Sequence, residues 1–259
     1  MIEDALNIPQ GAELQCDVVI IGSGAAGITC ACELIGSGKS VIQLESGGLT
    51  LEPESQTLAE GEVAKTSAHG PLEYYRKRMF GGTTSAWGGR CSPFDEIDFE
   101  KRHFVPHSGW PIQLKDLRPH YQKAHRYAFV GDFDYSCASS LASGASPTIP
   151  GLRDDIWLQD RLWRFSLPAN YGVEFRQQLR NATNVRTILH AIALKLGTDA
   201  TGQRVETVQA ASSTNNRFTV KARIVIVAAG GLESTRLLML SDDVHRRGIG
   251  NEYDRLGRY

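Results

Sequence analysis

No charge of one sign dominates this chain of 259 residues: 28 Lys and Arg stand against 29 Asp and Glu, with no long block of either. That balance excludes the usual electrostatic footprint of a nucleic-acid or anionic-membrane partner. Long apolar runs are missing as well. The longest, CDVVIIG at residues 16–22, falls far short of the ~20 residues that span a bilayer, so no membrane segment is expected. The first residues lack the basic-then-apolar layout of a secretory signal, which makes the cytoplasm the expected location. Cysteine is sparse. Cys16, Cys30, Cys32, Cys91 and Cys137 form no C-x-x-C pair or metal spacing, and an odd number leaves at least one without an intramolecular partner. No metal site is expected, and thiols kept in a reducing compartment are. Cys30 and Cys32 lie two apart, and such residues point to different faces of a helix, which argues against a redox pair. No internal repeat suggests a solenoid.

What is present is a chain with 41% hydrophobic residues, enough to bury a sizeable α/β core. Residues 2–15 form a polar leader. CDVVII at 16–21 then has the signature of a fully buried strand: short, β-branched and closed by glycines. The following residues predict a helix over about 25–36, with small side chains where it lies close to a sheet and Gly36 and Gly38 as its stop. SVIQLES at 40–46 is the second strand, so the unit is β-α-β with parallel strands and a right-handed crossover.

From residue 47 to about 77 the chain is polar and mixed. RMFGGTTSAWGGR at 78–90 has neither helical nor strand periodicity and is expected to be a structured loop. Residues 108–127 contain a turn and then an amphipathic helix, with Leu117, Tyr121 and Ala124 on one face. The Ser-, Ala-, Gly- and Pro-rich stretch 135–151 is expected to be an exposed loop. Alternation at 184–195, about 205–211 and 217–220 predicts a small β-meander with a turn at 199–202. ARIVIVAAGG at 222–231 is a second buried apolar strand, and LESTRLLMLS after it is a helix.

Gly22-Ser23-Gly24-Ala25-Ala26-Gly27 sits where a dinucleotide fingerprint must sit, after a strand and opening a helix. Gly22 permits the tight turn, Gly24 lets a pyrophosphate approach the backbone, and Gly27 lets helix and strand pack closely. The helix N-terminus offers free N–H groups and the positive end of its dipole to phosphate. Glu45 ends the second strand roughly 20 residues on, where a carboxylate accepts from ribose hydroxyls and disfavours the 2′-phosphate of NADP. FAD and NAD share this fingerprint, so the motif leaves both open.

Three segments in this order, GGTTSAWGGR, PHSGWPIQLKDLRPHYQKA and VIVAAGGLESTRLLMLS, resemble the glucose-methanol-choline family of FAD-dependent oxidoreductases. The resemblance runs from Cys16 to Tyr259. It implies an α/β, Rossmann-like FAD-binding domain with a parallel sheet, a small β-meander and an incomplete substrate domain. The implied division is 14–90 for the β-α-β unit and flavin loop, 91–180 for a partial substrate or cap region, and 181–241 for the meander and its return to the sheet. The family's glycine-rich loop lies beside the pyrophosphate and flavin, which assigns Gly81, Gly82, Thr83, Thr84 and Gly88 to the cofactor, while Trp87 either packs within the loop or walls the flavin. Paired glycines expose backbone N–H groups, and Thr hydroxyls can donate to phosphate or flavin; the alternative is an ordinary loop without a ligand. Ser46 is a further cofactor-binding candidate next to Glu45, Ala193 matches the family's adenine-gripping position, and Gly230 in Ala229-Gly230-Gly231 matches a second phosphate-proximal turn.

Some relatives bond FAD covalently through a histidine at the place of Ala86, so FAD is expected to be held non-covalently here. Members oxidise an alcohol carbon by passing hydride to the flavin while a late histidine takes the hydroxyl proton. No such segment follows RLGRY in this sequence, so the catalytic residues are left unknown and the C-terminal catalytic domain is expected to be absent. Two functions stand: the FAD-binding portion of an oxidoreductase acting on an alcohol or sugar, completed by a complementary segment or chain, or an inactive FAD- or nucleotide-binding module. His103, two residues before VPHSGWP, and His107, within it, stand on a polar loop and carry no chemistry by themselves. Trp110 is a packing residue, and Arg246, Arg247, Arg255 and Arg258 form a solvated tail.

Overall fold

The computed structural model describes residues 1–136, 149, 151, 161–167 and 169–258. Most of the stretch 135–151, with Cys137, lies outside the described residues. The strands are β1 (Ile2–Asp4), β2 (Glu13–Ile21), β3 (Val41–Leu44), β4 (Arg90–Cys91), β5 (Arg164–Phe165), β6 (Val185–Leu189), β7 (Ala191–Thr198), β8 (Val205–Ser212) and β9 (Arg217–Val227). The helices are α1 (Ala25–Glu33), α2 (Pro53–Thr57), α3 (Glu96–Phe99), α4 (Leu114–Ala128), α5 (Tyr171–Glu174), α6 (Arg176–Asn181) and α7 (Gly231–Leu240). The chain divides into two compact units: Met1–Ala86 with Asn170–Tyr259, and Trp87–Ala169.

The first unit is built on a seven-stranded sheet in the order β1-β6-β3-β2-β9-β8-β7. β1, β6, β3, β2 and β9 run parallel, and β9, β8 and β7 form an antiparallel meander. Ile20, Val41, Ile42 and Leu44 are buried to 4% exposure or less, as expected for the central strands of a parallel sheet covered on both faces. Each such side chain contributes about 1.5–3 kcal/mol through burial. α1 packs on β2 and β3, and α6 packs on β6. The turn at 199–202 closes as expected, Gly202 N–H donating to Asp199 O at 3.0 Å.

Four expectations are corrected. The polar leader is not structureless: Ile2, Glu3 and Asp4 pair in parallel with Thr187, Ile188 and Leu189 at the sheet edge. α1 ends at Glu33 rather than near residue 36, because Asn184 Nδ2 donates to Leu34 O and its Oδ1 accepts from Gly36 N–H, capping the helix from the residue before β6. The alternating run 184–195 is two strands, broken at His190 with φ 52°. Its halves join different parts of the sheet, β6 between β1 and β3, β7 at the meander's outer edge. The runs 217–220 and 222–231 are one 11-residue strand, β9. Its pattern changes midway because its partners change: β8 pairs with it only through Lys221, while β2 pairs along its length. The second half of β9 is consequently not buried, and Ile224 is 56% exposed.

In the second unit β4 and β5 pair antiparallel, and α4 confirms the amphipathic helix with one change. Its inner face carries Leu117, Tyr121 and the buried His125 and Ala128, whereas Ala124 is exposed. His125 is buried because both ring nitrogens are engaged, by Gly131 O and the Tyr135 hydroxyl, each at 3.0 Å. Trp110 packs edge-on against Phe94 and Phe99 but stays 53% exposed.

The tightest contact in the β-α-β unit is between Gly27 and the Gly22 carbonyl, which any Cβ at position 27 would strike. Gly27→Ala should therefore lower the unfolding free energy by about 3 kcal/mol, the upper part of the usual overpacking cost. Urea denaturation followed by circular dichroism reads this directly, and an unchanged midpoint would contradict the packing.

Candidate functional site

The turn between β2 and α1 is fixed from three sides. Gly22, at φ 102°, donates its N–H to Leu44 O at 2.7 Å, and its carbonyl accepts from Gln43 Nε2 at 3.2 Å. Gln43 is fully buried in β3 and completes its hydrogen bonding with Thr187 Oγ1 at 3.0 Å. A glutamine inside the apolar run VIQL was the signal for this role, and motif reading passes over it. Ala25 and Ala26 are exposed at the start of α1, leaving the N–H groups of the first turn open to an anion.

Glu45 follows β3 and is 5% exposed. Ser23 donates to its Oε2 from N–H at 3.0 Å and from Oγ at 2.7 Å; Gly47 N–H donates to Oε1 at 2.9 Å and Ser46 Oγ at 3.3 Å. Burial pushes the carboxyl above its ordinary range, and these hydrogen bonds only partly oppose that. A carboxylate has about four acceptor positions, all used here, so a ribose hydroxyl would take the place of the longest contact, that of Ser46.

The glycine-rich segment after residue 78 is stitched to the same turn. Gly81 N–H donates to Ser23 O at 2.9 Å, and Phe80 N–H donates to Gly48 O at 2.8 Å. Gly82 approaches Gly24 so closely that a Cβ on it would come within 2.9 Å of the Gly24 Cα. The Thr84 hydroxyl donates to Gly81 O at 2.6 Å and accepts from Tyr171 N–H at 3.1 Å, so it is spent inside the fold. Thr83 is exposed and keeps its hydroxyl proton available, accepting only from Lys77 N–H at 3.3 Å.

A cleft of about 250 Å³ opens beside the turn, lined among others by Gly22, Ser46, Arg78, Ala193, Ala229 and Glu233. Pockets for whole drug-sized ligands run from about 300 to 1,000 Å³, so this one suits a single end of a dinucleotide. Sequence reading missed Arg76, Arg78 and Glu233. Glu233, in the first turn of α7, pairs with Arg76 Nη1 at 2.6 Å and Arg78 Nη2 at 2.8 Å, and Arg78 Nη1 donates to Ser46 Oγ at 3.1 Å. Burial alone would raise Glu233, but the two guanidinium groups hold it below the ordinary carboxylate range.

The structure thus brings together Gly22, Ser23, Gly24, Ala25, Ala26, Gly27, Glu45, Ser46, Gly81, Gly82, Thr83, Thr84 and Ala193 in the first unit. Gly230 precedes α7 at φ 80° and is exposed; its neighbour Ala229 lines the cleft. Trp87 and Gly88 belong to the second unit, where Trp87 Nε1 donates to Ala169 O at 3.0 Å. His103 and His107 are exposed in that unit, as are Arg246, Arg247, Arg255 and Arg258 in the first. Among the described residues no cluster of His, Cys, Asp and Glu is arranged to hold a metal, and no helix is long and apolar enough to cross a membrane.

The glycines bear on whether FAD fits this geometry. Gly22 and Gly27 are explained by contacts inside the chain, whereas a Cβ on Gly24 would meet nothing within 4 Å. A glycine with open space over it, at the mouth of free helix N–H groups, fits a site where a pyrophosphate comes against backbone. The fold and the turn define a dinucleotide-binding α/β protein. The chain belongs to the FAD dependent oxidoreductase (DAO) family, which matches residues 17–249. It is 25% identical over 301 aligned residues to a 2-methyl-1,2-propanediol dehydrogenase of Mycolicibacterium austroafricanum, covering 95% of this chain and 54% of that protein. It is also 34% identical over 133 residues to a 6'''-hydroxyparomomycin C oxidase of Streptomyces lividus, covering 46% of this chain and 24% of that one. Among solved structures it is similar to pyridoxine 4-oxidase from Mesorbium loti, with TM-score 0.57 and 18% identity over 87% of this chain and 52% of that one. Its fold is that of the glucose-methanol-choline oxidoreductases, as the three sequence segments imply. The chain spans about half the length of the first of these relatives and of the solved structure.

Glu45→Ala would leave the Ser23 and Gly47 N–H groups buried without an acceptor. A loss of about 2 kcal/mol or more in stability is expected from those orphaned donors. Thermal denaturation without added cofactor measures it, and an unaltered melting temperature would remove Glu45 from the framework of the turn.

Proposed function

We propose that this chain is the FAD-binding portion of an oxidoreductase that oxidises a CH–OH group of an alcohol or sugar, with FAD held non-covalently. The observation that carries the reading is Gly24: its backbone approach is open, and no contact within the chain requires glycine there. Gly22, Gly24 and the first turn of α1 take the pyrophosphate, Glu45 and Ser46 the ribose, and Ala193 the adenine. Gly81, Gly82 and Thr83 serve the flavin side, and Gly230 a second phosphate turn. Bound there, FAD would accept hydride from the alcohol carbon. The chain's own residues would orient it and exclude water. The names of the relatives, a 2-methyl-1,2-propanediol dehydrogenase and a 6'''-hydroxyparomomycin C oxidase, support an alcohol or sugar substrate.

A proton acceptor for the substrate hydroxyl has to come from elsewhere. The titratable groups lining the cleft, Arg78, Glu233 and Arg236, pair with one another, so none stands ready as a base. That observation also favours a second reading, an FAD-binding module without turnover when the chain acts alone. A complementary segment or chain would supply the base. Support for it comes from β9, whose residues 222–227 pair with β2 on one side while the other edge is left by β8. An open edge beside exposed Ile224 is suited to an added strand. The four described cysteines are free, in keeping with a cytoplasmic setting.

Two measurements test the reading. FAD should co-purify or bind on addition, and Gly24→Ala should abolish binding while stability changes by no more than about 1 kcal/mol, the range for an alanine at a helix N-cap. Equal FAD affinity in the variant would sink the assignment. Anaerobic bleaching of the flavin bands by an added alcohol or sugar would show turnover by the chain alone, and bands that persist would favour the module. Because Ala86 cannot bond the flavin, acid precipitation should release all colour into the supernatant; a yellow pellet would contradict non-covalent binding.

A further inference from the structure

The corner between β6 and β7 is a single residue, His190, in a left-handed conformation (φ 52°) that non-glycine residues seldom adopt. Its ring lies between two carboxylates from distant parts of the chain. Nδ1 is 2.6 Å from Asp4 Oδ2, at the end of β1, and Nε2 is 2.8 Å from Glu52 Oε2, at the residue before α2. A neutral imidazole has one donor and one acceptor nitrogen, and an ionised carboxylate only accepts. Both contacts can hold at once only when both nitrogens carry protons, so the geometry is that of an imidazolium. Burial works against that charge, but the hydrogen bonds and charges of Glu52 and Asp4 outweigh it and raise the histidine above its ordinary value. From β1, Glu3 is turned to Arg186 of β6, and from β3, Glu45 is held by Ser23, Ser46 and Gly47. Asp4 and Glu52 are thus the charged groups that face the ring among the described residues.

The corner also fixes the wall of the cofactor cleft. His190 N–H donates to Gly47 O at 3.1 Å, and Ala191 N–H donates to Glu45 O at 2.8 Å. β7 leaves from there, and its Ala191, Ile192 and Ala193 line the cleft. Glu52 belongs to the segment that begins at Gly47, whose N–H holds Glu45. One charged ring therefore ties together the end of β1, the segment after β3 and the start of β7.

We propose that His190 is a positioning residue whose protonated ring holds the nucleoside end of the cleft in its binding shape, so that affinity for FAD falls as the ring loses its proton. The proposal rests on the FAD reading above. In the neutral ring one nitrogen lone pair faces a carboxylate at hydrogen-bond distance, and that contact must open. The clasp is complete below the ordinary histidine value of about 6.5 and is lost as pH rises through the raised value in the folded chain.

The test is an FAD titration of the full chain, by flavin fluorescence, between pH 6 and pH 9.5, beside an NMR titration of the histidine Cε1 protons. The dissociation constant should rise about tenfold, the change that one pK unit of differential interaction produces, with the midpoint of the His190 resonance. His190→Asn, which tolerates the left-handed corner, should bind weakly with no such step. Glu52→Gln keeps an acceptor for Nε2 but removes a charge, so it should move both midpoints to lower pH, which a purely structural contact would not do. FAD binding with the same pH dependence in wild type and His190→Asn, or midpoints unmoved in Glu52→Gln, would overturn the role of His190 alone. Failure of FAD to bind at any pH would overturn the FAD reading and this proposal with it.

Discussion

A carboxylate with 5% exposure is costly to bury, and Glu45 is tolerated because donors from two loops converge on it. That convergence is what the site is made of. Ser23 belongs to the turn between β2 and α1, Gly47 to the segment leaving β3, and the backbone carbonyl of Glu45 itself receives the first residue of β7. Gln43, one pleat away, holds the Gly22 carbonyl from the same strand. β3 therefore acts as the spine that sets the turn, the glycine-rich segment and the cleft wall relative to one another. A buried polar network of this kind rigidifies when every member is satisfied and is costly when one is lost.

The same dependence explains where the chain is closed and where it is open. Central strands β2 and β3 are covered on both faces, and their apolar residues are almost wholly buried. β9 begins as a meander strand between β2 and β8 and ends with β2 alone. Beside that half-edge runs a groove of about 760 Å³, lined by Cys16, Val18, Leu34, Ala222 and Ile224 with charged residues around them. Its lining carries none of the turn or cleft residues. The groove is the larger space, but the smaller cleft is the one that borders the turn, through Gly22 and Ser46.

The β-α-β unit was legible because its signals are local: an apolar run, three glycines at fixed spacing, a helix of small residues and an acid at the end of the next strand. The division of labour among the glycines was legible only as motif, and the structure supplies the reasons at Gly22 and Gly27. The corner at His190 was not legible. Alternation continues through it, and nothing in NVRTILHAIALK marks the residue where the chain leaves one part of the sheet for another. Its partners Asp4 and Glu52 stand in stretches whose composition is merely polar, 186 and 138 residues away in sequence. β9 misled for a related reason: periodicity reports burial, and burial changes along that strand while the backbone does not.

Gly24 separates what the fold needs from what a ligand needs. Gly27 is required by the carbonyl of Gly22, and Gly22 by its positive φ and the backbone at Ala228, so their presence is accounted for without any cofactor. At Gly24 the backbone angles suit any residue and the space above is empty. A side chain there would cost the free protein little, yet it would stand over the free N–H groups at the start of α1, where an anion gains both hydrogen bonds and the helix dipole. Packing within the chain therefore gives no reason for glycine at this position, in contrast to Gly22 and Gly27. The same criterion, asking of each motif residue whether the chain by itself needs it, distinguishes Thr83, with its hydroxyl proton available, from Thr84, whose hydroxyl is committed to Gly81 and Tyr171.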